Sequence, residues 1–172
     1  MLRAPEFSGH GKPVLRYASF FAHNHPTKNS KETMATHTEI AQFLAREFPQ
    51  TKCTVEAVGN QSATIRHPIG IHELRPGGTV AGPVLMAVAD VALYVAILGE
   101  IGIVPLAVTS SLSINFLRKP SADRAIIGVC KLMRVGKLLA VGEVSLYSEG
   151  NDDPVAHVVG TYAIPRQRAA AG

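Results

Sequence analysis

The sequence contains no tryptophan and only two cysteines, and aromatic residues make up 6% of its 172 residues. A core with so few rings must be packed mainly by aliphatic side chains. Cys53 and Cys130 are far apart and show no metal-site spacing, so we expect reduced thiols in a cytoplasmic protein rather than a disulfide framework. The sequence also gives no reason to expect a bound metal or a cofactor.

A basic surface of the kind that binds nucleic acid is also missing. The net charge is +4, but five of the 17 basic residues and only two of the 13 acidic residues lie in residues 1–33. The rest of the chain is close to neutral, so we predict no nucleic-acid partner. Residues 1–33 lack sustained periodicity and the apolar segment of a secretory signal, which indicates a poorly ordered leader, either a tag or the product of an upstream start.

The most apolar stretch of the chain runs from Thr79 to Gly99 and carries one formal charge, Asp90. Pro83 suits the first turn of a helix, and Gly99 marks its expected end. Because this segment is apolar on every side, it predicts a helix that is buried all round. A transmembrane helix has similar length, but the central carboxylate and the lack of basic flanks disfavour it, so we predict no membrane association.

Alternating patterns on both sides of this helix predict strands. They cover residues 53–58 and 62–67 before the helix, and residues 107–117, 125–134, 137–148 and 155–164 after it. A short helix at 36–48, with capping-box spacing between Thr36 and Glu39, precedes them. This order predicts one α+β domain at residues 34–165, an antiparallel sheet around one long helix, with a frayed tail at 166–172. One helix leaves sheet surface uncovered, so we expect at least a homodimer.

The strand at 107–117 alternates well between apolar and polar residues, with Ser110 as the polar residue on the apolar face. Its even-numbered residues from Val108 to Phe116 are predicted to face one side of the sheet, and its odd-numbered residues, including Thr109, the other side. Arg118 and Lys119 follow the strand directly.

The carboxylate of Asp90 allows two interpretations. A buried charge is costly unless it is paired or used, so Asp90 either satisfies nearby polar groups or acts as a base or nucleophile. Gly82 lies where a helix begins, and N–H groups at that end lack intrahelical acceptors and can stabilise an oxyanion. The eight-residue spacing separates the two by about 12 Å along one helix, too far for one reaction centre. If both act, they must come from different subunits with antiparallel central helices.

Three segments resemble the hotdog-fold acyl-CoA thioesterases of the phenylacetyl-CoA thioesterase, or PaaI-like, type. They are AGPVLMAVADVALY at 81–94, TSSLSINFLRKP at 109–120 and RVGKLLAVGEVSLY at 134–147, within a resemblance that covers residues 53–164. The resemblance implies a hotdog fold and hydrolysis of an acyl-CoA thioester at a dimer interface. It also implies assembly as a homodimer or a dimer of dimers.

The family usually carries His-Gly-Gly before this helix and an acid eight residues after the first glycine. The matching residues here are Ala81-Gly82-Pro83 and Asp90, so the histidine is absent and the second glycine is a proline. The resemblance implies Asp90 as base or nucleophile and the amide of Gly82 as oxyanion donor from the other subunit. A serine or threonine of the family falls on Thr109.

Substrate contacts are expected from Pro83, beside the oxyanion donor, and from basic residues that could reach the phosphates of coenzyme A. The basic candidates form two pairs, Arg118 with Lys119 at a strand end and Arg134 with Lys137 at a hairpin turn. Each pair is equally consistent with ordinary solvated charges. The aliphatic composition favours a medium-chain or aromatic acyl group.

Two other functions stay open. A hydratase or dehydratase on the same fold would need a histidine paired with an acid, and the residue before Gly82 is not histidine. His72 and Arg75, in the Pro- and Gly-rich loop at 68–78, are the polar candidates on that side of the helix. A non-catalytic acyl-CoA-binding or dimer-scaffold protein is the other alternative, and release of free CoA thiol would distinguish it from an enzyme.

Overall fold

The structure is a computed structural model that describes residues 34–166. The predicted leader at 1–33 and all but the first residue of the predicted tail lie outside the described residues. The elements, in chain order, are α1 (His37–Glu47), β1 (Thr54–Gly59), β2 (Ser62–His67), β3 (Leu74–Arg75), β4 (Thr79–Val80), α2 (Gly82–Ile101), β5 (Val108–Phe116), β6 (Ile126–Val135), β7 (Leu139–Ser148) and β8 (Pro154–Ala163).

The predicted capping box forms at the start of α1. Thr36 is the N-cap, its side chain accepts a hydrogen bond from the backbone N–H of Glu39, and the Glu39 carboxylate accepts one from the backbone N–H of Thr36. Ile40, Phe43 and Leu44 form the buried face of the helix. The spacing of these residues therefore predicted both the start of α1 and the face that packs on the core.

The long strands form one antiparallel sheet in the order β1-β2-β6-β7-β8-β5, and β3 and β4 form a small separate hairpin. The predicted hairpin of β6 and β7 is present, with Ile126 opposite Ser148 and Val135 opposite Ala140. Helix α2 packs across the sheet, and its buried side chains form the core together with those of the strands. This confirms the predicted α+β class and the hotdog arrangement of a sheet around a long central helix.

Two expectations for α2 were wrong. The helix does not end at Gly99 but continues to Ile101, and Gly102, with φ of 86°, occupies the C-cap. The helix is also not buried all round, because Pro83, Met86 and the neighbouring Ala87 are exposed on its N-terminal half. The apolar sequence predicted complete burial, whereas this single chain leaves a stripe of the helix uncovered.

By length and composition, α2 could cross a membrane. However, 67% of its most apolar 18-residue stretch is buried inside the fold. The surrounding sheet, rather than lipid, therefore covers most of this helix.

Strand β5 does not alternate strictly as predicted. Thr109 lies opposite Tyr162 of β8, but Ser111 lies opposite Thr161, so Ser110 is an extra residue that forms a β-bulge. The bulge reverses the facing of the strand, and Thr109 therefore points to the helix side together with Phe116. Strict alternation had placed these two residues on opposite faces.

Candidate functional site

Asp90 lies in the middle of α2 and is half-buried, and two hydroxyl groups hold its carboxylate. Thr109 Oγ1 donates a hydrogen bond to Asp90 Oδ1 over 2.5 Å, and the Tyr162 hydroxyl donates to the same oxygen over 2.7 Å. The Tyr162 hydroxyl also lies 3.0 Å from the backbone carbonyl oxygen of Asp90. Both donors approach Oδ1, so Oδ2 has no hydrogen-bond partner within residues 34–166.

The two donors are neighbours across the sheet. Thr109 and Tyr162 are directly paired between β5 and β8, and paired residues project from the same face. The bulge at Ser110 brings the threonine into this position. The site therefore requires an irregularity that the sequence periodicity does not indicate.

Aromatic packing fixes the second donor. Tyr162 is 3% exposed and stacks on Tyr94, with ring centroids 6.0 Å apart, and Tyr94 in turn contacts Phe43 of α1. Burial and, to a smaller degree, the charge of Asp90 raise the pKa of Tyr162 well above its ordinary value. The phenol therefore stays protonated at any physiological pH and serves as a donor, not as a base.

The N–H of Gly82 is the free donor at the start of α2. Pro83 has no N–H, and the N–H groups of Val84 and Leu85 both donate to the carbonyl of Ala81, over 3.0 and 3.4 Å. Within residues 34–166, no acceptor is present for Gly82. The geometry thus leaves one donor, at the positive end of the helix dipole, for an incoming oxygen.

An ion pair between the half-exposed Lys52 and the buried Glu73 anchors the loop that leads into this helix start. Lys52 Nζ lies 2.6 Å from Glu73 Oε1, and the backbone N–H of Gly70 donates to Glu73 Oε2 over 2.8 Å. The hydrogen bond from Lys52 holds the pKa of Glu73 below its ordinary value. The carbonyl of Glu73 accepts from the N–H of Ala81, which ties the loop to the residue that caps α2.

The structure brings Thr109 together with Asp90 but leaves Gly82 apart from them. Gly82 and Asp90 are eight positions apart on the same helix, a separation of about 12 Å. A single chain therefore does not assemble the complete set of predicted catalytic groups around one reaction centre.

The two predicted phosphate-binding pairs lie at opposite ends of the fold. Arg118 and Lys119 follow the end of β5 that approaches the start of α2, and Arg118 donates to the carbonyl of Pro154 over 3.0 Å. Arg134 and Lys137 flank the β6–β7 turn, and both are exposed. Lys137 borders an apolar groove of about 890 Å³ beside the end of α2.

His72 and Arg75 lie in the loop before α2, and their side chains are exposed. Neither donates to Asp90, whose hydrogen-bond partners in the described part of the chain are Thr109 and Tyr162. The structure thus supplies no histidine–acid pair at this carboxylate. The 34–166 segment also contains no group of three or more His, Cys, Asp or Glu residues that could hold a metal ion.

Sequence reasoning missed two residues of the site, Tyr162 and Phe116. Tyr162 falls on the buried face of the predicted last strand, and a buried tyrosine hydroxyl usually needs a partner, which was the available signal. For Phe116, strict alternation gave no indication that its ring would reach the start of α2.

A model of the thioesterase superfamily matches residues 77–155, a segment that includes the start of α2, Asp90 and Thr109. A putative thioesterase from Silicibacter sp. TM1040 is 37% identical, and its structure aligns over 80% of this chain and 96% of its own with a TM-score of 0.73. The chain belongs to the thioesterase superfamily. This assignment confirms the predicted resemblance to hotdog-fold thioesterases and the prediction of a thioester hydrolase.

Two more distant structures show the same fold. A point mutant of the phenylacetic acid degradation protein PaaI from Thermus thermophilus is 22% identical, with coverage of 72% of this chain and 99% of its own and a TM-score of 0.60. A hypothetical thioesterase from Streptococcus pneumoniae, solved with coenzyme A, is 17% identical, with coverage of 74% and 98% and a TM-score of 0.63. No curated protein matches this member of the thioesterase superfamily.

Proposed function

We propose that this protein hydrolyses an acyl-CoA thioester to the free acid and coenzyme A, at a site shared by two subunits of a homodimer. The observation that carries the proposal is the carboxylate of Asp90, which two hydroxyl groups hold through Oδ1 while Oδ2 has no partner in the described segment. The coenzyme A found with the Streptococcus pneumoniae thioesterase of the same fold supports a CoA ester as the substrate.

The chemistry follows from the two oxygens of Asp90. Thr109 and Tyr162 orient the carboxylate, and Oδ2 takes a proton from a water molecule as that water attacks the thioester carbonyl carbon. The N–H of Gly82 stabilises the negative charge that develops on the carbonyl oxygen. The C–S bond then breaks, and the departing CoA thiolate takes up the proton. Direct attack by Oδ2, followed by hydrolysis of the acyl-enzyme anhydride, uses the same atoms.

The position of β5 supports a shared site. It is an edge strand of the sheet, with Thr109 near one end and Phe116, which contacts Gly82, at the other. An unpaired edge is a template for pairing with a second strand. If two copies of β5 pair antiparallel about an axis near Leu112, the Gly82 end of one subunit meets the Asp90 end of the other. The pairing would also cover the exposed stripe on α2.

The acyl group is expected to be medium-chain or aromatic, because the surfaces around the helix start are apolar. Pro83 and Met86 are exposed there, one helical turn apart. Arg118 and Lys119 lie at the same end and are proposed, together with Arg134 and Lys137, as contacts for the CoA phosphates. These two basic pairs lie at opposite ends of the fold, and in a dimer of dimers each pair could contact a CoA molecule.

The decisive experiment measures release of free CoA thiol from a panel of acyl-CoAs by the purified protein. Turnover of at least one straight-chain or aromatic acyl-CoA, with the acid as the second product, supports the proposal. Hydration of an enoyl-CoA without thiol release would identify a hydratase instead. Binding of acyl-CoA with neither reaction would identify a non-catalytic acyl-CoA-binding protein.

A further inference from the structure

The side chain of Phe116 contacts the helix start where the oxyanion donor lies. A Cβ added at Gly82 would lie 3.1 Å from Phe116 Cζ and 3.5 Å from Cε1, so the tip of the ring occupies the space of a side chain at that position. Yet Phe116 is 55% exposed, so much of its side chain is left uncovered by residues 34–166. The ring therefore lies at the surface beside the helix start rather than in the core.

The backbone of Gly82 does not explain why this residue is glycine. Gly82 is the first residue of α2 and has no positive φ, so its conformation suits any residue. Space is tight at this position instead, since an added Cβ would make the ring or the helix start move by a few tenths of an ångström. The glycine and the phenylalanine therefore form a matched pair.

Gly82 also carries the donor that the proposed mechanism uses. The N–H of Gly82 is the one backbone donor in the first turn of α2 without an acceptor in the described segment. A free donor is more effective when its direction is fixed and water is kept away from it. The three heavy atoms nearest to a Cβ at position 82 all belong to the Phe116 ring, so this ring covers that side of the glycine.

We propose that Phe116 is the positioning residue of the oxyanion site: its ring holds the Gly82 amide in direction and closes one side of that site against water. The inference rests on the proposed thioesterase function and adds a residue to it. Because the ring acts through the amide that stabilises the developing oxyanion, its loss should lower kcat while KM changes by less than about twofold.

The test is a double-mutant cycle of Gly82→Ala and Phe116→Leu, with kcat and KM measured on an acyl-CoA that the wild type hydrolyses. Each single change is expected to lower kcat about tenfold, below the 10²–10³-fold loss that follows removal of an oxyanion donor. In the Phe116→Leu background, Gly82→Ala should lower kcat by less than about twofold further, because the ring that the methyl group displaces is already gone. Leu117→Ala, a change at the adjacent and similarly exposed residue, is the control and should show no coupling with Gly82→Ala.

Each outcome decides the question. Full wild-type kcat in Phe116→Leu, or multiplicative effects of the two changes, would overturn the inference. A fall in the melting temperature of Phe116→Leu with unchanged kcat, measured on protein of wild-type oligomeric state, would reduce Phe116 to a packing residue and would also overturn it. Wild-type protein that releases no CoA thiol would instead refute the proposed function, and the inference with it.

Discussion

Replacement of Asp90 by asparagine removes the charge of the carboxylate and keeps the size and shape of the side chain. The amide oxygen of the introduced side chain would take the place of Oδ1 and still accept from Thr109 Oγ1 and the Tyr162 hydroxyl, which now lie 2.5 and 2.7 Å away. The amide nitrogen would take the place of Oδ2. It carries two protons and no free pair for catalysis, so the substitution removes the base and the nucleophile together.

The expected magnitudes follow from these contacts. Loss of a positioned base or nucleophile should lower turnover by about 10²–10⁴-fold, which corresponds to a barrier about 2.7–5.4 kcal/mol higher. Two charge-assisted hydrogen bonds become neutral ones, which costs about 1 kcal/mol each, while removal of a half-buried charge offsets part of that cost. The free energy of unfolding should therefore fall by less than about 2 kcal/mol.

The assay compares single-turnover CoA release with urea unfolding for the wild type, Asp90→Asn and a matched carboxylate-to-amide control. Glu143→Gln suits the control, because Glu143 is a partly exposed acid on a strand, 3.1 Å from His157 and without contact to Asp90. The control should keep wild-type turnover. Near-normal turnover in Asp90→Asn, together with a stability loss of several kcal/mol, would show that Asp90 is a structural acid.

Heterodimers of an Asp90→Asn chain with a Gly82→Val chain should have about half of the wild-type number of active sites, whereas each parent homodimer should be nearly inactive. Verified heterodimers without activity would disprove the shared site. Arg134→Ala and Lys137→Ala should raise KM for acyl-CoA but not for a truncated thioester without the nucleotide, and equal effects on both substrates would remove the phosphate role. Glu73 has a lowered pKa in the folded state, so its contribution to stability is present above the ordinary carboxyl pKa and is lost as the pH falls through the folded pKa. Glu73→Gln should therefore make the melting temperature fall less steeply as the pH is lowered. An unchanged slope would contradict this prediction.

The sequence predicted most of the fold because periodicity and capping chemistry act locally. The capping box at Thr36 and the β6–β7 hairpin were visible in short segments, and both are present. The end of α2 was missed because Gly99 looked like a terminator, whereas packing carried the helix on to Ile101. Burial of the surrounding turn thus outweighed the low helix propensity of glycine.

The candidate site was only partly predictable, since its contacts join residues that are distant in sequence. Asp90 was conspicuous as a lone charge in an apolar helix, and this alone led to the centre of the site. The approach of Tyr162, 72 positions away, depends on strand order and helix placement, which local patterns do not specify. Local patterns likewise could not show that Phe116 reaches Gly82.

The bulge in β5 gives this strand one residue more than regular pairing with β8 needs. The Ser110 hydroxyl donates a hydrogen bond to the carbonyl of Thr161, but the importance of this residue comes from the space that it takes in the strand. Many substitutions at position 110 should therefore be tolerated. Deletion of this single residue would leave Thr109 opposite Tyr162 and Ser111 opposite Thr161 in regular pairing, so Thr109 and Phe116 would both keep the helix side. An added residue elsewhere in β5 would instead need a second bulge, or it would turn one end of the strand away from the helix. Active variants should therefore lack Ser110 more often than they gain a residue in β5.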